Sequence, residues 1–240
     1  MIPIIFFDID ATLMDHETAE HRGALAFYRF YKNEIPCQEA AFIQQWKSSS
    51  KRYFNAYLAN ELSFQEQRRL RIKEMFGVEL MDKQADQLFE NYLAHYQSNW
   101  QLFDDVIPCL DSLNKQGYLL GIVTNGDDKQ QKQKLQKLGV LHYFSMHVTS
   151  SQVGCAKPNP SIFREACALA QVKSTDCYYV GDQLLGDVIS SIKAGMHGVW
   201  LNRQKQLVPR KVRAIQSLKD LEQVISSQSK DLEIKSYKLV

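Results

Sequence analysis

The sequence predicts an α/β protein, a parallel sheet with helices on both faces, carrying an all-helical insert. Three observations predict it. After residue 103, short apolar runs alternate with segments of helical period. Each run ends in polar residues, where a buried parallel strand would emerge from its sheet. Between about Asp15 and Trp100 the pattern is helical throughout, with few Pro or Gly and apolar residues three or four apart. Strands separated by helices imply parallel pairing with right-handed crossovers.

Ile2–Phe7 is the first strand, an apolar run cut off by Asp8. The helical stretch follows, with breaks expected at Asn33–Cys37 and near Gly77–Asp82. Phe27, Phe42, Trp46, Tyr92 and Tyr96 are among its core candidates. Val106–Gln116 suits a helix ended by Gly117, because glycine readily takes the left-handed conformation that closes a helix. Leu119–Val123 is then a strand, Lys129–Leu138 a helix ended by Gly139, and Met146–Thr149 a strand. Pro160–Ala170 is a helix and Cys177–Val180 a strand; Leu184–Ala194 is a helix stopped by Gly195, and Val199–Leu201 is the fifth strand. Leu218–Ser226 reads as a closing helix before a polar tail, Ser227–Val240. The expected division is a core of residues 1–14 and 102–240 and a helical domain of residues 15–101.

Composition narrows the function classes. Of 240 residues, 45% are apolar and 23% charged, as in ordinary globular proteins. Lys+Arg of 29 against Asp+Glu of 27 leaves +2, too little to favour a polyanion, so no nucleic-acid partner is expected. Cys37, Cys109, Cys155, Cys167 and Cys177 are odd in number and scattered, giving neither a disulfide framework nor a zinc spacing. A reducing interior is the natural reading. Ile2–Phe7 follows no basic region and is too short for a signal peptide or a span, and no later run is long enough. We expect no membrane association and a cytoplasmic location.

Four polar signals carry the chemistry. In Asp8-Ile9-Asp10-Ala11-Thr12 the two carboxylates are two residues apart and share a face if the strand continues. Carboxylates that close repel unless a cation lies between them, and magnesium prefers hard oxygen ligands. One can attack phosphorus while the other exchanges protons with the leaving alcohol and the attacking water. Taken alone, the pair is also what a turn or helix cap supplies. Thr124-Asn125-Gly126 follows the next apolar run, so the hydroxyl and the amides of residues 125–127 could face a phosphoryl oxygen, or the triplet is simply a tight turn. Lys157, ahead of Pro158 and Pro160, offers an ammonium to balance phosphate and nucleophile. Gly181-Asp182 ends another run, and Asp182 would complete a metal site. Asp187 could orient a metal-bound water or Lys157, or favour a helix start.

With these residues in this order, the chain resembles the haloacid dehalogenase superfamily of hydrolases. The resemblance implies a Rossmann-like three-layer core and a helical cap inserted after the first strand. It also implies Asp8 as nucleophile and metal ligand, Asp10 as acid/base with its main-chain carbonyl on the metal, and Asp182 as a further ligand. Thr124 and Lys157 would hold the phosphoryl group, with Asn125 and Gly126 beside them. Ala11 departs from the glycine common in the family. Asp10 favours phosphoryl transfer, since family members that cleave carbon–halogen bonds typically lack an aspartate there.

The expectation is therefore a Mg²⁺-dependent phosphatase acting on a small phosphorylated metabolite, such as a nucleoside monophosphate or sugar phosphate, through an aspartyl-phosphate. A phosphomutase, a dehalogenase and a non-catalytic sensor are the alternatives. Specificity should reside in the inserted helices. There Lys47, Lys51, Arg52, Arg68, Arg69, Arg71 and Lys73 face only Glu61 and Glu66, a local excess of five positive charges that could attract an anion or simply form a solvated face.

Overall fold

The computed structural model describes residues 3–77 and 79–226. Ile2 of the first expected strand and the polar tail 227–240 lie outside them. Strand β1 (Ile4–Phe7) leads into four helices, α1 (His16–Tyr31), α2 (Glu39–Leu58), α3 (Phe64–Phe76) and α4 (Asp82–Ser98). Then come α5 (Val106–Lys115), β2 (Leu119–Thr124), α6 (Asp128–Lys137), β3 (Met146–Thr149), α7 (Ser150–Val153) and α8 (Ser161–Ala170). β4 (Cys177–Gly181) is followed by a π-type turn at Leu184–Ile189, α9 (Ser190–Lys193), β5 (His197–Leu201) and β6 (Arg213–Ile215). A 3₁₀ turn at Leu218–Asp220 precedes helical residues 221–226.

The six strands run parallel in the order β3-β2-β1-β4-β5-β6. Alternation along β1 explains the three layers. Ile5 and Phe7 join the core shared with the inserted helices, whereas Ile4 and Phe6 join a second core with Phe163 and Ala166 of α8. Because β1 sits between β2 and β4, chain connections leave it in opposite directions, which opens a crevice at its carboxyl end.

Besides the short α7 and the π-type start of the expected helix Leu184–Ala194, two features differ from the sequence reading. β6 was not expected, because a three-residue edge strand beside Arg210 and Lys211 has no apolar run to announce it. The helical stretch also breaks a third time, at residues 59–63. Ser63 opens α3 with a reciprocal cap: its Oγ accepts from the Glu66 amide at 3.1 Å and its own amide donates to Glu66 Oε2 at 2.7 Å.

The inserted helices pack around Phe27, whose ring meets those of Tyr31, Phe42, Trp46, Phe76 and Tyr92 within 6.3 Å between centroids. Where the chain leaves for these helices and returns, Met14 and Leu102 form an antiparallel bridge. Arg203 clasps this junction. It donates to the Thr12 carbonyl at 3.0 Å and to both oxygens of Asp105 at 2.8 and 2.9 Å, with its guanidinium 3.9 Å from the Phe103 ring centroid. No helix among the described residues is long and apolar enough to cross a membrane, and all five cysteines are free thiols.

Candidate active site

The carboxyl ends of β1, β2 and β4 bring Asp8, Thr124 and Asp182 to one rim of the sheet, and the loop before α8 adds Lys157. Lys157 is the hub. Its buried ammonium donates to Asp8 Oδ1 at 2.7 Å, to Asp187 Oδ1 at 2.7 Å and to the Tyr179 hydroxyl at 3.0 Å. Tyr179 in turn donates to the Val123 carbonyl at 2.7 Å. Burial opposes the lysine's charge, but Asp187 and Asp8 more than offset that and raise its pKa.

Asp187, for which several roles were open, contacts Lys157 directly. The side chain is buried; Oδ1 takes Lys157, and Oδ2 accepts the Gln183 amide at 2.9 Å. Its carboxylate lies so close to Gly181 that a Cβ there would collide with it, so only glycine fits at the end of β4.

The acidic residues crowd one another. One carboxylate oxygen each of Asp8, Asp182 and Asp187 lies within 4.8 Å of the others. Burial, then the nearby Asp187 and Asp10 charges, push Asp8 up to about 6 despite Lys157. Burial together with Asp8 and Asp187 pushes Asp182 up to about 8. Three hard oxygen donors this close suit a small divalent cation, which would relieve the repulsion between their charges. With Asp187 engaged by Lys157 and Gln183, the capacity to hold that ion falls mainly to Asp8 and Asp182.

Asp10 stands apart from this cluster. Lys134 of α6, itself buried, donates to both Asp10 oxygens at 2.7 Å; Gln131 reaches one of them at 3.4 Å, and His16 lies 3.8 Å away. Burial raises the Asp10 pKa, but Lys134 and His16 outweigh it and the net shift is downward. Beside it, Ala11 sits at φ 61, a left-handed conformation that costs a residue with a Cβ about 1–2 kcal/mol. That turn is where the sequence departs from a glycine.

Each residue of the Thr-Asn-Gly triplet has a partner within the protein. Thr124 Oγ1 is buried and accepts from Gln131 at 2.8 Å. Asn125 clamps the main chain of Lys157, donating to its carbonyl at 3.0 Å and accepting from its amide at 2.8 Å. The Gly126 amide is not free for a phosphoryl oxygen, because it donates to Ser150 Oγ at 2.9 Å. Lys134, Gln131 and Tyr179 are site residues that the sequence reading missed.

The chain is similar to several known proteins. A family model described as haloacid dehalogenase-like hydrolase matches residues 5–201. The human N-acylneuraminate-9-phosphatase is 31% identical over 213 residues, covering 86% of this chain and 85% of that protein. A glyceraldehyde 3-phosphate phosphatase of Methanopyrus kandleri is 43% identical over 103 residues, 43% of this chain and 44% of that protein. The magnesium-bound HAD-hydrolase YfnB from Bacillus subtilis superposes with a TM-score of 0.78 at 22% identity, covering 94% of this chain and 99% of that one.

Proposed function

The chain belongs to the haloacid dehalogenase-like hydrolases, and from that premise we propose that it is a Mg²⁺-dependent phosphatase of a small phosphomonoester. The observation that carries this reading is a buried lysine gripping Asp8 at 2.7 Å while Asp10, two residues on, is gripped separately by Lys134. A nucleophile and a proton carrier are thereby kept distinct.

In the proposed reaction Asp8 attacks phosphorus, the ester P–O bond breaks, and Asp10 gives its proton to the departing alkoxide. Asp10 then takes a proton from water as that water attacks the aspartyl-phosphate, releasing inorganic phosphate and regenerating Asp8. Lys134 favours the ionised Asp10 with which this second step begins. Lys157 holds Asp8 in place and offsets charge on the transferring group. Thr124 stands at the end of the neighbouring strand to donate its hydroxyl to that group. Asn125 acts by fixing Lys157. Asp8, Asp182 and the Asp10 carbonyl would hold Mg²⁺, which supplies further neutralisation of the phosphoryl charge.

Residues 15–101 act in this reading as a cap, hinged at the Met14–Leu102 bridge, whose side chains select the leaving group; a sugar phosphate or nucleoside monophosphate is of suitable size. Free thiols and a magnesium requirement suit the cytoplasm. The test is phosphate release from a panel of monoesters with and without Mg²⁺, comparing wild type with Asp8→Asn. We expect metal-dependent release that the substitution abolishes. Equal activity in the two proteins removes Asp8 from the mechanism.

A further inference from the structure

The seven cations of α2 and α3 divide into two sets. Arg52, Arg69 and Lys73 lie on the outside, bound respectively to Glu74, to Asp82 and Asp86, and to Asp82. Lys47, Lys51, Arg68 and Arg71 line a cavity of about 440 Å³ that runs from the inserted helices to Asp10 and Asp182. Helical spacing does the sorting: Lys47 and Lys51 are four apart on α2, and Arg68 and Arg71 three apart on α3.

Among the residues lining the helical end of this cavity, Glu17, Glu20 and, from the N-terminus of α6, Asp127 oppose the four cations. The two arginines are almost fully sheltered from water, with side chains 12% and 9% exposed. Arg71 lies against the faces of Trp46, Phe89 and Tyr92, 4.7–5.4 Å from their centroids, and its nearest carboxylate is Glu20 at 3.8 Å. Glu20 is itself bonded to Ser50, and Arg71 Nε has no hydrogen-bond partner. Arg68 rests on Phe64 and Phe89 and reaches across to Gln130 of α6 at 3.4 Å, with Glu90 3.8 Å away and mostly in water. Guanidinium groups stacked on rings keep their edges for N–H donation, and a buried donor without a partner is costly.

We propose that the leaving group carries a carboxylate and that Arg68 and Arg71 bind it, so the substrate class is the phosphate ester of a small hydroxy acid or sugar acid. This rests on the phosphatase reading above. In the lining around them the four cations Lys47, Lys51, Arg68 and Arg71 outnumber Glu17, Glu20 and Asp127 by one, which leaves room for one negative charge. A planar carboxylate matches the guanidinium fork. Phe54, Phe64 and Phe89 supply an apolar wall for the carbon skeleton between the two anionic ends.

The experiment uses two esters that differ only at the far end, 3-phosphoglycerate and glycerol 3-phosphate, with p-nitrophenyl phosphate as a third. Wild type should favour the carboxylate ester in kcat/KM by about 10- to 100-fold, the value of a charge-assisted hydrogen bond. Arg68→Gln should bring that ratio to about one, chiefly through KM, and Arg68→Lys should restore part of it. Comparable kcat/KM for the two esters in wild type overturns the proposal, and this holds even if the variants fail to fold. A ratio that survives Arg68→Gln overturns it too. Release from p-nitrophenyl phosphate alone, still dependent on Asp8, sinks the carboxylate subsite while leaving a phosphatase; no release from any of the three sinks both.

Discussion

At the sheet rim, buried Lys157 is held by two carboxylates at 2.7 Å and a phenol at 3.0 Å, whereas in the inserted helices buried Arg71 has one carboxylate at 3.8 Å and three aromatic faces. The first cation is saturated and fixed in position. The second is packed but retains donor capacity. A rim fixed around so fully engaged a cation can be specific only for the group it was built around, which in our reading is the phosphoryl group. Recognition of anything further must come from the helices, where packing by rings leaves polar edges unspent.

The largest expected effect tests the packing side of this contrast. Phe27 is fully buried at the centre of the aromatic cluster, so Phe27→Ala should destabilise the protein by about 3–5 kcal/mol through lost burial and a residual cavity. Thermal melting reads this directly. Turnover of p-nitrophenyl phosphate below the transition should change only a few-fold, because the ring lies away from the rim. A loss of turnover without a fall in melting temperature would place Phe27 in the chemistry and dissolve the distinction.

Next in size is Lys157→Met, which should lower kcat by about 10²–10³-fold, the typical effect of removing one preorganised charge partner. It leaves Asp8 and Asp187 facing each other without a cation, so the Asp8 pKa should rise further from about 6. In a pH–rate profile the acid limb would move to higher pH. An unmoved limb would mean that Lys157 acts by geometry alone.

The same contrast explains what could be read from the sequence. Asp8, Thr124 and Asp182 each end an apolar run, and parallel strands deliver such residues to one edge whatever the helices do. Lys134 gave no such sign. In Asp128–Lys137 most positions are polar, and only the structure separates the buried Gln131, Lys134 and Leu135 from Lys129, Lys132 and Lys137 on the same helix. Tyr179 read as core because its ring is core; what sets it apart is the hydroxyl that meets Lys157. The bond at Gly126 was hidden for a related reason, since the Ser150 hydroxyl that takes its amide comes from a four-residue helix too short to have a period. Charge counting in the inserted helices found the excess but not its sorting, because surface partners such as Asp82 and Asp86 lie on the next helix.

Between rim and helices lies the junction, and the smallest effect tests it. Asp105 accepts from Arg203, from Ser217 Oγ at 2.7 Å and from the Leu218 amide at 2.9 Å. Burial raises its pKa, but these donors outweigh it and hold the carboxyl below its ordinary 3.8. A carboxyl whose pKa is lower in the folded chain contributes stability that is complete above the unfolded value and is lost as pH falls through the folded one. Asp105→Asn should therefore cost about 1–3 kcal/mol at neutral pH, by weakening charge-assisted bonds, and the gap in melting temperature should narrow once the pH drops below about 4. A gap that stays constant from pH 7 to pH 3 would mean that the clasp works through shape, with the charges of Asp105 and Arg203 contributing nothing. Arg203 also holds the Thr12 carbonyl, four residues from Asp8 in sequence. A weakened clasp should therefore alter cap movement before it alters Asp8, and KM should respond more than kcat.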